Sequence, residues 1–111
     1  MKKKLIAGNW KMNGSTAANA ALVQQLLAGV GQAACDIAVC VPAPYLAEVG
    51  ALVKGSAIAV GAQDVSAHDA GAYTGEVSAG MLRDLAVRYA IVGHSERRQY
   101  HGETDAIVAA K

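Results

Sequence analysis

A histidine, a serine, a glutamate and two arginines stand side by side at His94, Ser95, Glu96, Arg97 and Arg98, directly after the apolar run Tyr89 to Val92 and Gly93. Imidazole titrates nearest neutral pH of all side chains, so His94 is well suited to hold or move a proton. The run before it has the residue types of a buried strand, and Ser95 is a hydroxyl able to cap a helix. His94 is therefore predicted at the mouth of a helix. Partial positive charge there disfavours an imidazolium and leaves a neutral ring able to donate a hydrogen bond to a carbonyl. Taken alone, a histidine after a strand is more simply read as a surface residue in a solvated turn.

The same arrangement occurs near the start of the chain. Lys4 to Gly8 reads as a short strand that runs into the polar cluster Asn9, Trp10, Lys11, Met12, Asn13, Gly14. Asn9 and Lys11 offer an amide and an ammonium at the end of that strand, although Lys11 by itself would pass for a solvated surface lysine. A third polar stretch runs from Val65 through His68, Asp69, Gly71, Tyr73, Thr74 and Gly75 to Glu76, and long loops in compact domains tend to carry function.

These groups need a scaffold, and the periodicities supply one. Ser15 or Thr16 caps a predicted helix to about Ala28, with Ala18, Leu22, Val23, Leu26 and Val30 near helical spacing and Gly29 and Gly31 as the stop. Asp36 to Val41 is a second strand, apolar enough to be covered on both faces, halted by Pro42-Ala43-Pro44. Tyr45 to Lys54 follows as a helix with Leu46, Val49, Leu52 and Val53 on one side; Ala57 to Ala62 is a third strand, closed by Gln63 and Asp64. Ser78 caps a helix that turns Met81, Leu82, Leu85 and Ala86 inward, and a last helix begins at Glu103 or Thr104 and reaches Lys111.

Four strand–helix units of this kind imply an α/β fold with a parallel sheet and right-handed crossovers. The strand ends then gather Asn9, Lys11, Pro42 to Tyr45, Gln63, Asp64 and His94 to Glu96 on one rim, where ligands bind in such folds. An open doubly wound sheet and a barrel both fit these spacings.

Composition narrows the possible functions. At 111 residues with 53% hydrophobic content, the chain fits one domain with a real core. Ten basic against nine acidic residues, and five aromatics, leave no basic stripe for nucleic acid and no face for a membrane surface. Lys2 to Lys4 imitate the start of a signal peptide, but the apolar run after them is too short, and a cytoplasmic protein is expected. Cys35 and Cys40 bracket the segment Asp36 to Val39, near or inside one predicted strand whose geometry resists a bridge, and are expected as free, buried thiols. Neither they nor His68, His94 and His101 fall at zinc-ligand spacing, so no metal is expected.

Three stretches go further than periodicity. AGNWKMNG from Ala7 to Gly14, GAYTGE from Gly71 to Glu76 and VGHSERR from Val92 to Arg98 resemble the triosephosphate isomerase family in content, order and spacing, and the likeness spans nearly the whole chain. The resemblance implies the first four βα units of a (β/α)8 TIM barrel, with residues 1–111 as the amino-terminal half of one domain. It also implies interconversion of dihydroxyacetone phosphate and D-glyceraldehyde 3-phosphate through an enediolate, without cofactor or metal.

Carried over by position, the family's lysine falls on Lys11, which would attract the substrate phosphate and stabilise charge on the enediolate oxygen. Asn9 would orient that lysine and the substrate. The electrophilic histidine falls on His94, flanked by Ser95, while Glu96 would act through Lys11. The loop around Thr74 would reach into a neighbouring subunit, with Met12 at the interface and Glu76 and Arg97 pairing across it, which implies a homodimer. Asp64 stands where many members carry asparagine.

A complete barrel of this kind needs about 250 residues. The expectation is accordingly a segment cut in the helix after the fourth strand, without the family's catalytic glutamate, lid loop and later phosphate-binding turn, and inactive by itself. The other reading is a non-catalytic half-barrel interaction module, standing alone or paired with another copy.

Overall fold

The computed structural model describes residues 2–111. Four strands form one sheet in the order β1-β2-β3-β4, each parallel to the next: β1 is Leu5–Asn9, β2 Asp36–Val41, β3 Ile58–Ala62 and β4 Tyr89–Ala90. Each helical crossover thus returns to the adjacent strand. A doubly wound sheet needs a switch point where the order reverses, and these four strands have none.

The helices lie on one face. α1 (Thr16–Val30), α2 (Leu46–Val53) and α3 (Ala79–Asp84) meet the sheet through Val23, Leu46, Val49, Val53 and Leu82, which pack with Val39, Val41, Ile58, Val60 and Ala62 in a single core. Alternation puts Ala38 and Cys40 of β2 on the other face, and both are still buried. In register, Asn9, Cys40, Gly61 and Tyr89 form one row across the strands. A Cβ on Gly61 would stand 2.7 Å from the Cys40 sulfur, so glycine makes room there for the thiol.

Several elements differ from the sequence reading. α1 runs to Val30 with Gly29 inside it and Gly31, at φ 54°, as its stop. Its inward stripe is Asn19, Val23, Leu26 and Val30; Ala18 and Leu22 sit one position off that stripe, and Leu22 is 41% exposed. In α3 only Leu82 is buried, because the helix ends at Asp84 and Ala86 takes a left-handed φ of 57°, leaving Met81, Leu85 and Ala86 exposed. Ser15 and Ser78 do cap their helices, accepting from the N–H groups of Ala18 and Met81. Cys40 is buried and Cys35 half-buried; both are free, and burial pushes the Cys40 thiol up from its ordinary range.

The carboxyl-terminal part holds α4 (Ser95–His101) and α5 (Asp105–Ala110). Thr104, not Glu103, caps α5, accepting from Ile107 N–H. Gly93 has φ 63°, and a Cβ there would meet Val108 Cγ2 at 2.5 Å, so α5 packs directly on the residue before His94. Arg98 Nε donates to the Gly93 carbonyl at 2.8 Å and Nη1 to Asp105 at 2.6 Å, tying the same point to the first turn of α5.

Candidate active site

The strand ends converge on an open cleft of about 910 Å³, and Asn9, Lys11, Met12, Thr74, Glu76, His94, Glu96 and Arg97 all line it. Ser95 does not. The serine is the first residue of α4, and the cap of that helix is His94, whose Nδ1 accepts from Glu96 N–H at 3.1 Å. The assignment of the cap to Ser95 is thus corrected: the extended backbone of His94 (φ −54°, ψ 145°) turns its ring back over the helix mouth and leaves the serine hydroxyl outside.

With Nδ1 accepting, the proton of the neutral ring sits on Nε2, the nitrogen left free to donate. The Glu96 carboxylate oxygen 3.6 Å from Nδ1 is beyond hydrogen-bond length and does not compete with the backbone for it.

Glu96 is instead held by Lys11. The ammonium donates to Oε1 at 2.7 Å. That hydrogen bond holds the Lys11 ammonium above its ordinary pKa and the Glu96 carboxyl below its own. Both side chains are about half exposed, so the pair remains open to an incoming anion. Lys11 itself has φ 55°, a left-handed conformation that costs a non-glycine residue on the order of 1–2 kcal/mol. Two side chains hold it there: Asn9 Oδ1 accepts from Lys11 N–H at 2.9 Å, and Gln63 Nε2 donates to Lys11 C=O at 2.8 Å. Such strain persists only where the surroundings over-determine it.

The loop 65–77 is closed on itself. Ser66 Oγ donates to Glu76 Oε1 at 2.6 Å and accepts from His68 N–H, while the His68 and Tyr73 rings stack at 3.8 Å with planes 3° apart. Thr74 and Glu76 are thereby presented on a braced loop. Arg97 points to the same side, bound within the chain to Asp64 at 3.1 Å and Glu103 at 2.7 Å.

Sequence reasoning missed most of that last cluster. Glu103, read only as a possible helix start, is 5% exposed at its side chain and bonds both Arg97 and Lys111 at 2.7 Å; Lys111, 9% exposed, also reaches Asp64 at 2.7 Å. Burial pushes the Glu103 carboxyl up, but the hydrogen bonds from Lys111 and Arg97 outweigh it and hold the group low. For Lys111 burial works downward and the bonds to Asp64 and Glu103 win, raising it. No local pattern marks a buried glutamate; the nearest hint was two acids and two bases in a weakly charged chain. Among the described residues no three His, Cys, Asp or Glu side chains gather as a metal site.

An imidazole with Nδ1 occupied, an ammonium and a carboxylate on one rim of a parallel half-barrel match a known pattern. The family model for triosephosphate isomerase matches residues 4–111. This chain belongs to the triosephosphate isomerase family. It is 67% identical over 111 residues to the triosephosphate isomerase of Albidiferax ferrireducens, and 65% identical to that of Herminiimonas arsenicoxydans, covering all of this chain and 45% of each relative. The crystal structure of triosephosphate isomerase from Bartonella henselae superposes with a TM-score of 0.92 at 39% identity, over 99% of this chain and 46% of that one. The four strands are thus the amino-terminal part of a TIM barrel, and the chain spans about 45% of the length of the triosephosphate isomerases it matches.

Proposed function

We propose that residues 1–111 form the amino-terminal half of one barrel domain and supply the electrophilic side of a triosephosphate isomerase site. Its reaction interconverts dihydroxyacetone phosphate and D-glyceraldehyde 3-phosphate in glycolysis and gluconeogenesis. The observation that carries this reading is the pairing of two groups on one rim: His94, with Nδ1 occupied by Glu96 N–H, and Lys11, whose ammonium lies on the Glu96 carboxylate.

Proton abstraction next to a carbonyl leaves negative charge on the carbonyl oxygen. Nε2–H of His94 is placed to donate to that oxygen and to pass a proton between the two substrate oxygens. Lys11 attracts the phosphate and stabilises the developing charge; Glu96 holds the ammonium without neutralising it permanently, since an anion can displace one partner of an exposed pair. Asn9 fixes the Lys11 backbone. Ser95 flanks the site.

The carbon acid still needs a base. Each carboxylate near the cleft is already bound: Glu96 to Lys11, Glu76 to Ser66, Asp64 and Glu103 to Arg97 and Lys111. The base therefore comes from outside these residues, and the segment alone does not turn over. Met12, Thr74, Glu76 and Arg97 form the face against a second copy in a cytoplasmic homodimer, with Met12 standing 93% exposed beside the cleft.

Isomerase activity measured on the full-length product of the gene that encodes these residues tests the reading. Turnover abolished by His94→Gln and by Lys11→Met supports it; near-normal kinetics in either variant overturns it. A second test adds a complementary carboxyl-terminal half to purified residues 1–111: activity appears only in the mixture.

A further inference from the structure

One polar side chain of the cleft has no part in the reaction drawn above. Gln63 follows β3, and its Nε2 donates twice, to Lys11 C=O at 2.8 Å and to Cys40 C=O at 3.0 Å. The Cys40 carbonyl also accepts Trp10 N–H at 3.0 Å. A primary amide has two N–H bonds, and here both are spent on main-chain oxygens. The loop that carries Lys11 is thus riveted to the end of β2 by a residue from the end of β3.

We propose that Gln63 is a positioning residue for Lys11, its amide holding the left-handed backbone from which the ammonium is aimed into the cleft. This deepens the isomerase reading and rests on Lys11 as the cation that meets substrate. The Asn9 bond restrains only the N–H side of Lys11, and the ladder-like bond from Trp10 stops one residue short of it. Without the Gln63 donor nothing among the described residues holds its carbonyl, and a non-glycine residue at φ 55° relaxes toward negative φ. The four-carbon stem turns that rotation into a displacement of the ammonium by ångströms, and misplacement of about 1 Å costs up to about 100-fold in rate.

Only a residue of glutamine's reach and hydrogen content fits. Gln63→Glu keeps the shape but sets a carboxylate against two carbonyl oxygens; Gln63→Met keeps the volume and removes both donors; Gln63→Asn keeps the amide one methylene short.

The test uses the full-length gene product, with two readouts: the Lys11 Cα chemical shift, which reports its backbone conformation, and steady-state kinetics with glyceraldehyde 3-phosphate. In Gln63→Met the Lys11 Cα shift leaves the left-handed range and kcat/KM falls about 10- to 100-fold, shared between kcat and KM because the ammonium serves both phosphate and oxyanion. Gln63→Asn, the milder change, gives the same pattern should the methionine variant fail to fold. A merely structural glutamine lowers the melting temperature and moves neither readout. An unchanged Lys11 Cα shift, or kcat/KM within twofold of the parent while Lys11→Met is inactive, overturns the proposal. Normal turnover in Lys11→Met sinks the reading of Lys11 instead, and the Cα shift then decides by itself whether Gln63 holds that backbone.

Discussion

Lys11 Nζ and Glu96 Oε1 lie 2.7 Å apart although 85 residues separate them in the chain. One belongs to the loop after the first strand and the other to the first turn of the helix after the fourth. The pair closes the cleft across the width of the sheet. It also leaves His94 Nδ1 to the backbone, because the carboxylate that could have taken it is engaged elsewhere.

That pairing has a defined pH window. The Glu96 carboxyl is held low, so its contribution is present above the unfolded pKa and lost as pH falls through the folded one. The Lys11 ammonium is held high, so its contribution is present below the unfolded pKa and lost as pH rises through the folded one. The pair is therefore fully present between the ordinary carboxylate and ordinary lysine ranges, and is lost only below the first or above the second. Replacing Lys11 with methionine is expected to return the Glu96 carboxyl upward toward its ordinary range, read by carbon NMR of the side-chain carboxyl. An unmoved titration would mean the two groups do not pair in solution.

His94 should show one tautomer at neutral pH. The acceptor role of Nδ1 puts the proton on Nε2. Nitrogen NMR of the imidazole is expected to show a pyridine-like Nδ1 and a pyrrole-like Nε2; the opposite tautomer would remove the donor from the cleft and with it the electrophile.

Gly93→Ala should be strongly destabilising. The new methyl carbon meets Val108 at 2.5 Å and 2.8 Å, and φ 63° is itself unfavourable for alanine. Together these cost about 2–4 kcal/mol, measurable by urea unfolding of the full-length gene product. Adding Val108→Ala relieves the clash but not the backbone strain, so the double variant should recover only part of the loss. Full recovery would show that the left-handed backbone is cheap here.

Glu103→Ala should cost about 1.5–3 kcal/mol, because it removes one of the two carboxylates that hold the nearly buried Lys111 and Arg97 and leaves both cations to Asp64 alone. The depressed Glu103 carboxyl adds a pH signature: its stabilisation is present above the unfolded pKa and disappears as pH falls through the folded one. The melting temperature of Glu103→Gln is expected to depend less on pH in the acid range than that of the parent. Parallel curves would show that Glu103 carries no such linkage.

Residues 1–111 on their own should self-associate. Among the described residues β1 pairs only with β2 and β4 only with β3, so both outer edges keep unpaired backbone groups, and Leu5 and Ile6 on β1 stand 44% and 58% exposed. Sedimentation is expected to give species larger than a monomer; a well-packed monomer would refute the argument.

The chain itself determined the strands, the caps and the chemistry-bearing stretches. Asp36 to Val41 is a strand because an unbroken apolar run ends at Pro42, and Ser15 and Ser78 cap helices because a hydroxyl next to free N–H groups has a local partner. Signals of that kind lie within a few residues of one another. The stripe of α1 was only partly legible, since Ala18 and Leu22 are as apolar as the residues that turned inward and only the packing of α2 against α1 settled which side is buried. The cap at His94 follows a left-handed Gly93 against which Val108 leaves no room for a side chain, a restriction that comes from tertiary packing. Gln63 on Lys11, Glu96 on Lys11, and Glu103 on Arg97 and Lys111 were beyond local reasoning for one reason. Most of these partners are far apart in sequence, and a polar side chain shows its partner only when the sheet has brought the strand ends together.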